Sequence, residues 1–277
     1  MNALYNVMDV LLPFEWLGYT FMKNALLAML LITPLFGMLG TMAVDNKMAF
    51  FSDALGHSAL TGIANGVVLG WQHQMASMLL FGILWAVLIT FVKHNSKMSA
   101  DTIISVFSST SVALGLVVLS RGGAFAKYSS FLVGDVLSVT QSDLTALLVT
   151  LVLTAIVWIV LYNPLMITSI NAPLAQSRGI RAKATEYCFT IVVAVAVMMS
   201  IRWVGVMLIN SLLILPAAAS RNVARNAAWY MRLSVIFSIV CGVAGLVLSY
   251  YLNTSAGAAV VLCAAVVYFA TLPMRRK

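Results

Sequence analysis

With 62% hydrophobic and only 9% charged residues in 277, this chain cannot be an ordinary soluble domain, where about a quarter of residues are charged. Sixteen Lys and Arg against eight Asp and Glu leave a net charge of +8. In so apolar a chain that excess reads as the loop asymmetry of a membrane protein, not as a surface for nucleic acid.

Residues 1–277 read as one transmembrane domain, an all-α polytopic helical bundle, because no polar stretch is long enough to fold separately. Residues 1–15 have no basic start and no small-residue cleavage site, so no removable signal peptide is expected. Residues 1–23 are expected at the membrane interface, with an amphipathic piece near 10–19. A hydrocarbon core about 30 Å thick needs about 20 helical residues. Apolar runs then predict spans near 24–44, 54–71, 75–92, 102–120, 144–162, 186–201, 204–219, 229–251 and 256–273. Nine spans is the expectation, with eight the alternative if one run is misread. Residues 131–139 are too short to cross and are expected to be re-entrant or interfacial.

The second span opens on Phe51-Ser-Asp53-Ala-Leu-Gly-His57-Ser-Ala-Leu-Thr61-Gly-Ile-Ala-Asn65. Asp53, His57, Thr61 and Asn65 recur every four residues and share one helical ridge. Ala54, Ser58, Gly62 and Gly66 form the next ridge, where backbones can approach. An ionised Asp near the centre of a span costs about 2.5–3.5 kcal/mol, so a route for an ion is the first hypothesis. One carboxylate oxygen and one imidazole on the same face suit Zn(II), Mn(II) or Fe(II) and suit Cu(I) poorly. The competing reading is an Asp–His hydrogen bond that packs two helices. Thr61 and Asn65 extend the ridge to about 18 Å from Asp53. They read as weak ligands lining the path, or as interhelical hydrogen-bonders.

Farther along, Asn210 and Ser211 interrupt an apolar run ahead of Pro216, which suits a path-lining role or a packed kink. The loop at about 163–185 contains Asn171-Ala-Pro-Leu-Ala175-Gln-Ser-Arg178-Gly179, a short helical pattern flanked by basic residues that suits docking to a partner. Asp135 and Asp143 are expected to cap turns or helices, and Asp101 to open a helix. His73 and His94 are expected in exposed loops. Cys188, Cys241 and Cys263 sit singly in apolar runs and read as small buried hydrophobes. Twelve of the sixteen basic residues, including Lys93, Lys97, Arg178, Arg181 and Lys183, fall in one set of alternate loops. Lys23, Arg121, Lys127 and Arg202 fall in the other set. That asymmetry predicts a cytoplasmic C-terminus and an outer N-terminus.

The chain has no GxxxxGK[ST] loop, no HExxH and no GxSxG, so neither ATP hydrolysis by a P-loop nor those hydrolytic chemistries is expected of it. No enzyme activity is expected.

Three segments together resemble the permease subunit of the metal-type ABC importer family. They are Ser52-Asp53-Ala54-Leu-Gly-His57-Ser58, Leu132-Val-Gly134-Asp135-Val-Leu137 through Asp143-Leu144, and Val204-Gly205 through Pro216-Ala-Ala-Ala219. The resemblance runs from about residue 20 to the C-terminus. It implies a bacterial cell-membrane permease that moves zinc, manganese or iron inward, with Asp53 and His57 coordinating the metal in transit and no resident cofactor. It also implies that residues 171–179, with Asn171, Ala175, Arg178 and Gly179, form the coupling helix that meets an ATP-binding subunit. The partners implied are a dimer of those subunits, a second permease copy or paralogue, an extracytoplasmic metal-binding protein and membrane lipid, but no nucleic acid. The chain departs from the family at Asn171, where an acidic residue is usual, and at Asp45-Asn46-Lys47, where two basic residues are usual. The alternatives are an ion-coupled secondary metal carrier and, from another class, an intramembrane enzyme using His57 with Ser58 or Ser211.

Overall fold

The computed structural model describes residues 14–71, 73–121 and 134–274, together with Tyr5 and Met8. Helices account for most of these residues, in the order α1 Thr20–Asp45, α2 Phe51–Val68, α3 Gln74–Asn95, α4 Ala100–Arg121, α5 Gln141–Ile170, α6 Ala172–Ser177, α7 Ala182–Val223, α8 Ala227–Leu252 and α9 Ala256–Thr271. No strand occurs among the described residues. Among the described residues, seven helices are long and apolar enough to cross a membrane: α1, α3, α4, α5, α7, α8 and α9. The two helices outside that group are the six-residue α6 and α2, whose 18 residues carry Asp53, His57, Thr61 and Asn65; in α2 it is polarity, not length, that excludes it. Its polarity is the feature that marked it in the sequence.

α7 runs for 42 residues, which as a straight helix would be about 63 Å long, twice the hydrocarbon thickness. It is not straight. Gly205 has φ 77° and ψ 160°, far outside the helical region. Near the start of α7, Glu186 accepts from Lys93 Nζ at 2.6 Å, and the same ammonium reaches the Asn46 carbonyl at 3.5 Å. Near its end, Arg221 lies 3.4 Å from Asp45. Both ends therefore meet the turn that joins α1 to α2, so the chain doubles back at Gly205. The two limbs, 182–204 (α7a) and 206–223 (α7b), are the sixth and seventh expected spans. Counted separately, the limbs give eight candidate crossing segments among the described residues, and α2, too polar to be one by that measure, packs beside them against α3, α4 and α7.

α7 is the hub of the bundle, packed against α1, α2, α3, α5, α8 and α9. Small residues permit the closest approach: a methyl group added at Gly40 of α1 would sit 1.9 Å from the Leu213 carbonyl oxygen on α7b. α8 is tied to α1 by hydrogen bonds from Ser234 Oγ to the Gly37 carbonyl (2.7 Å) and from Tyr230 OH to the Thr41 carbonyl (3.2 Å).

At the N-terminal end, Phe14 and Tyr19 are exposed while Trp16 and Leu17 are buried, and the Glu15–Gly18 turn packs on α1. The remainder of the amphipathic piece expected at 10–19, residues 10–13, lies outside the described residues. So do most of 121–133 and the C-terminal residues 275–277. The end of the expected re-entrant segment is a 3-10 turn, Val136–Ser138, resting on α1 and α7 with Val136 and Val139 buried.

Candidate functional site

The turn before α2 places the polar ladder. Lys47 adopts a left-handed conformation (φ 57°), the Met48 amide returns to the Ala43 carbonyl at 2.8 Å, and the Phe51 amide bonds the Met48 carbonyl at 3.0 Å. Met48 and Phe51 are buried, so two apolar anchors set the direction in which the first turn of α2 leaves.

On that turn Asp53 Oδ1 and His57 Nε2 lie 3.6 Å apart, with about a third of each side chain exposed. This is too long for a hydrogen bond, so the pair is not the closed Asp–His contact of the packing alternative. A cation about 2.1 Å from both atoms would subtend an angle of about 118°, close to the angle of a tetrahedral site. Asp53 Oδ1 also accepts a hydrogen bond from Asn210 Nδ2 at 2.8 Å, and Asn210 Oδ1 accepts one from Ser52 Oγ. Asn210 stands on α7b, one turn past the reversal, where Val206 packs against Gly56 of α2. The fold thus brings together Asp53, His57, Asn210 and, beside them, Ser211. The Ser211 hydroxyl is spent on its own helix, donating to the Met207 carbonyl at 2.9 Å. No third His, Cys, Asp or Glu joins Asp53 and His57 among the described residues. Asp53 and His57 are thus two possible donors, whereas a closed tetrahedral metal site takes four.

The upper rungs diverge. Thr61 is buried and donates to the Ser111 carbonyl on α4. Asn65 is half-buried in a shallow crevice with Val68, Trp71, Ser77, Phe81 and Leu84. The small-residue ridge is occupied by α3: Gly62 meets Met78, and Ser77 Oγ donates to the Gly62 carbonyl at 2.6 Å.

The 171–179 segment is a built helix. Asn171 Oδ1 accepts from the Leu174 amide at 3.1 Å as the N-cap of α6, and Pro173 sits in its first turn. Gly179, with φ 76°, ends it, and the Ile180 amide returns to the Ala175 carbonyl at 3.0 Å. Ala175 is fully buried, whereas Leu174, Arg178 and Gly179 are exposed.

Asp135 caps the Val136–Ser138 turn, accepting from the Leu137 amide at 3.1 Å, and Asp143 forms a capping box with Thr140. His94 corrects an expectation. It is not in a loop but in the last turn of α3, 19% exposed, with Nε2 3.3 Å from Glu186. Two participants were not singled out from the sequence: Ser52, which lies off the ridge, and the Lys93–Glu186 pair, which joins residues far apart in the chain.

The chain as a whole is similar to known proteins. Residues 18–275 match the ABC 3 transport family. The chain is 31% identical to the high-affinity zinc uptake system membrane protein ZnuB of Haemophilus influenzae, over 91% of this chain and 97% of that one. It is 30% identical to the manganese import system permease protein ScaB of Streptococcus parasanguinis, over 94% and 93% of the two chains. Among solved structures, PsaBC from Streptococcus pneumoniae in complex with Fab superposes with a TM-score of 0.78 at 26% identity, covering 98% of this chain and 95% of that one. An inward-facing putative metal-chelate type ABC transporter shares the fold, with a TM-score of 0.72 at 13% identity, over 91% and 85% of the chains. The match along nearly the whole length settles the affiliation: this chain belongs to the ABC 3 transport family.

Proposed function

We propose that this chain is the permease half of a bacterial cell-membrane importer that passes a divalent transition metal inward, driven by ATP-binding subunits that are separate chains. The observation that carries this reading is the Asp53–His57 pair. It is a hard oxygen and an imidazole at a spacing that fits a metal, half-open on a helix too polar to be in the membrane without a purpose. The relatives named for zinc and manganese uptake support that class of cargo, and the donor types admit iron equally.

Two donors per chain call for a second permease copy or a paralogue, whose own Asp and His would complete the coordination when the two ridges face each other. α6, capped by Asn171 and exposing Leu174 and Arg178, is the surface for the ATP-binding subunit. An extracytoplasmic metal-binding protein would deliver the ion at the opposite end. The twelve basic residues on one set of loops orient the C-terminus and α6 toward the cytoplasm and the N-terminus outside. Turnover of ATP belongs to the partner, and this chain holds, releases and directs the ion.

The enzyme alternative has no support in the geometry. The Ser58 hydroxyl is buried and donates to the Leu55 carbonyl at 2.7 Å, and Ser211 is bonded to its own helix, so neither is activated by His57. In proteoliposomes holding the assembled transporter, Asp53→Ala and His57→Ala should each abolish ATP-dependent metal uptake while insertion and ATPase binding persist. Normal uptake by both variants would sink the reading. Uptake by this chain alone, without ATP, would establish the carrier alternative instead.

A further inference from the structure

We infer that Asn210 is a third metal ligand of the passage, brought to bear by rotation of its amide, and that Ser52 is the group that lets the amide turn. This rests on the metal-passage reading of Asp53 and His57.

Without a cation, a carboxylate only accepts hydrogen bonds. The Asn210 amide therefore presents Nδ2 to Asp53 Oδ1, at 2.8 Å, and leaves its own Oδ1 to accept from Ser52 Oγ. A divalent cation beside Asp53 reverses that preference. The N–H group would then point at the positive charge, whereas the amide oxygen is a hard donor suited to it. Turning the amide by half a revolution brings Oδ1 to the Asp53 side and Nδ2 to the Ser52 side. Ser52 serves both arrangements because a hydroxyl donates to Oδ1 in one and accepts from Nδ2 in the other. Valine or alanine at position 52 could do neither. The amide is positioned for this by α7b, whose start is held against α2 by Val206 on Gly56. His57 Nε2, 3.6 Å from the same Asp53 oxygen, completes a set of one imidazole and two oxygens. That set is harder than Asp and His alone, and it favours manganese relative to zinc.

The discriminating variant is Asn210→Asp. It keeps an oxygen ligand, and Ser52 can still donate to it, but it has no N–H to offer Asp53. In the assembled transporter, Asn210→Asp should keep manganese uptake within about threefold of wild type. Asn210→Ala should raise the KM for manganese roughly ten- to hundred-fold, with a smaller rise for zinc. X-ray absorption on the manganese-loaded transporter should show one oxygen neighbour fewer for each Asn210→Ala copy that faces the ion, a readout that does not depend on turnover. If Asn210 only braces Asp53 by donating, Asn210→Asp falls to the Asn210→Ala level or below and the neighbour count is unchanged. Either result overturns the ligand role while leaving Asp53 and His57 to be judged by their own variants.

Discussion

Gly134 rests directly on Gly205: a methyl group added to Gly134 would sit 2.2 Å from the Gly205 nitrogen and 2.4 Å from the Val204 carbonyl carbon. Both glycines have positive φ, 68° and 77°. The segment ahead of α5 thus seats on the reversal of α7, and the reversal in turn holds Val206 and Asn210 against α2. Gly179 provides the control, because its φ is 76° but nothing lies within 4 Å of an added methyl. Gly179→Ala should cost only the conformational penalty, about 1–2 kcal/mol. Gly134→Ala must pay that and also move the α7 turn. Thermal unfolding in detergent should show the larger loss at Gly134, and metal uptake should fall with it. Equal shifts in the two variants would mean that the contact between the glycines is slack.

Lys93 and Glu186 clamp the base of α7a to α3 at 2.6 Å, with side chains 21% and 14% exposed. A pair so sheltered should exceed the 0–1 kcal/mol of exposed pairs without reaching the roughly 3–5 kcal/mol lost on breaking a fully buried one. His94 sits on the other carboxylate oxygen of Glu186, so Glu186→Gln leaves two basic groups facing each other. Reversing either charge alone should lower the melting temperature, and the double exchange Lys93→Glu with Glu186→Lys should recover most of it. Arg221, 62% exposed beside Asp45, should matter much less. The same double-mutant cycle there should return a coupling within about 1 kcal/mol.

The spans were legible because a membrane helix needs a long apolar run, and the boundary between the sixth and seventh runs fell beside Gly205. The ladder was legible too, since a period of four puts Asp53, His57, Thr61 and Asn65 on one ridge. The fate of each rung was not, because that depends on which neighbouring helix covers it. α4 seals Thr61, Asn65 opens into a crevice bordered by α3, and Asp53 and His57 stay half-open beside α7b. Ser52 was invisible for a related reason. Serines in these helices mostly bond their own helix, as Ser58, Ser111 and Ser211 do, and nothing local marks Ser52 as the one that reaches across to α7b. His94 was misplaced because its partner, Glu186, is distant in sequence.

Asn171 stands where the resemblance calls for an acid, and the structure gives it a task that either residue performs: capping α6 through the Leu174 amide. Asn171→Ala should weaken that cap by about 1 kcal/mol, whereas Asn171→Asp keeps it and adds a negative charge at a favourable helix end. With the ATP-binding subunit present, metal-stimulated ATP hydrolysis should fall in Asn171→Ala and hold or rise in Asn171→Asp. Buried Ala175 offers a harsher test of the same element, since Ala175→Leu must displace α6 from the bundle. If hydrolysis stayed coupled to metal in both Asn171→Ala and Ala175→Leu, α6 would not be the docking element.

Thr61 separates a path from a seam. Its hydroxyl is buried and bonded to the Ser111 carbonyl on α4, and Gly115 of α4 packs against it. Thr61→Val keeps the shape and removes one interhelical hydrogen bond, a loss of about 1 kcal/mol. The carbonyl it leaves belongs to a helical residue, whose backbone still has its own ladder. The variant should therefore unfold at a lower temperature while its KM for metal stays within about twofold of wild type, since a shift of 0.4 kcal/mol or so in binding is all that twofold represents. His57→Ala should show the reverse split, losing uptake with little change in unfolding, because His57 is a third exposed and its polar neighbour Asp53 is on its own helix. Measuring both quantities on both variants decides whether the ion route passes Thr61. A KM raised several-fold in Thr61→Val at unchanged stability would extend the route along the full ridge, with α4 moving aside to open it.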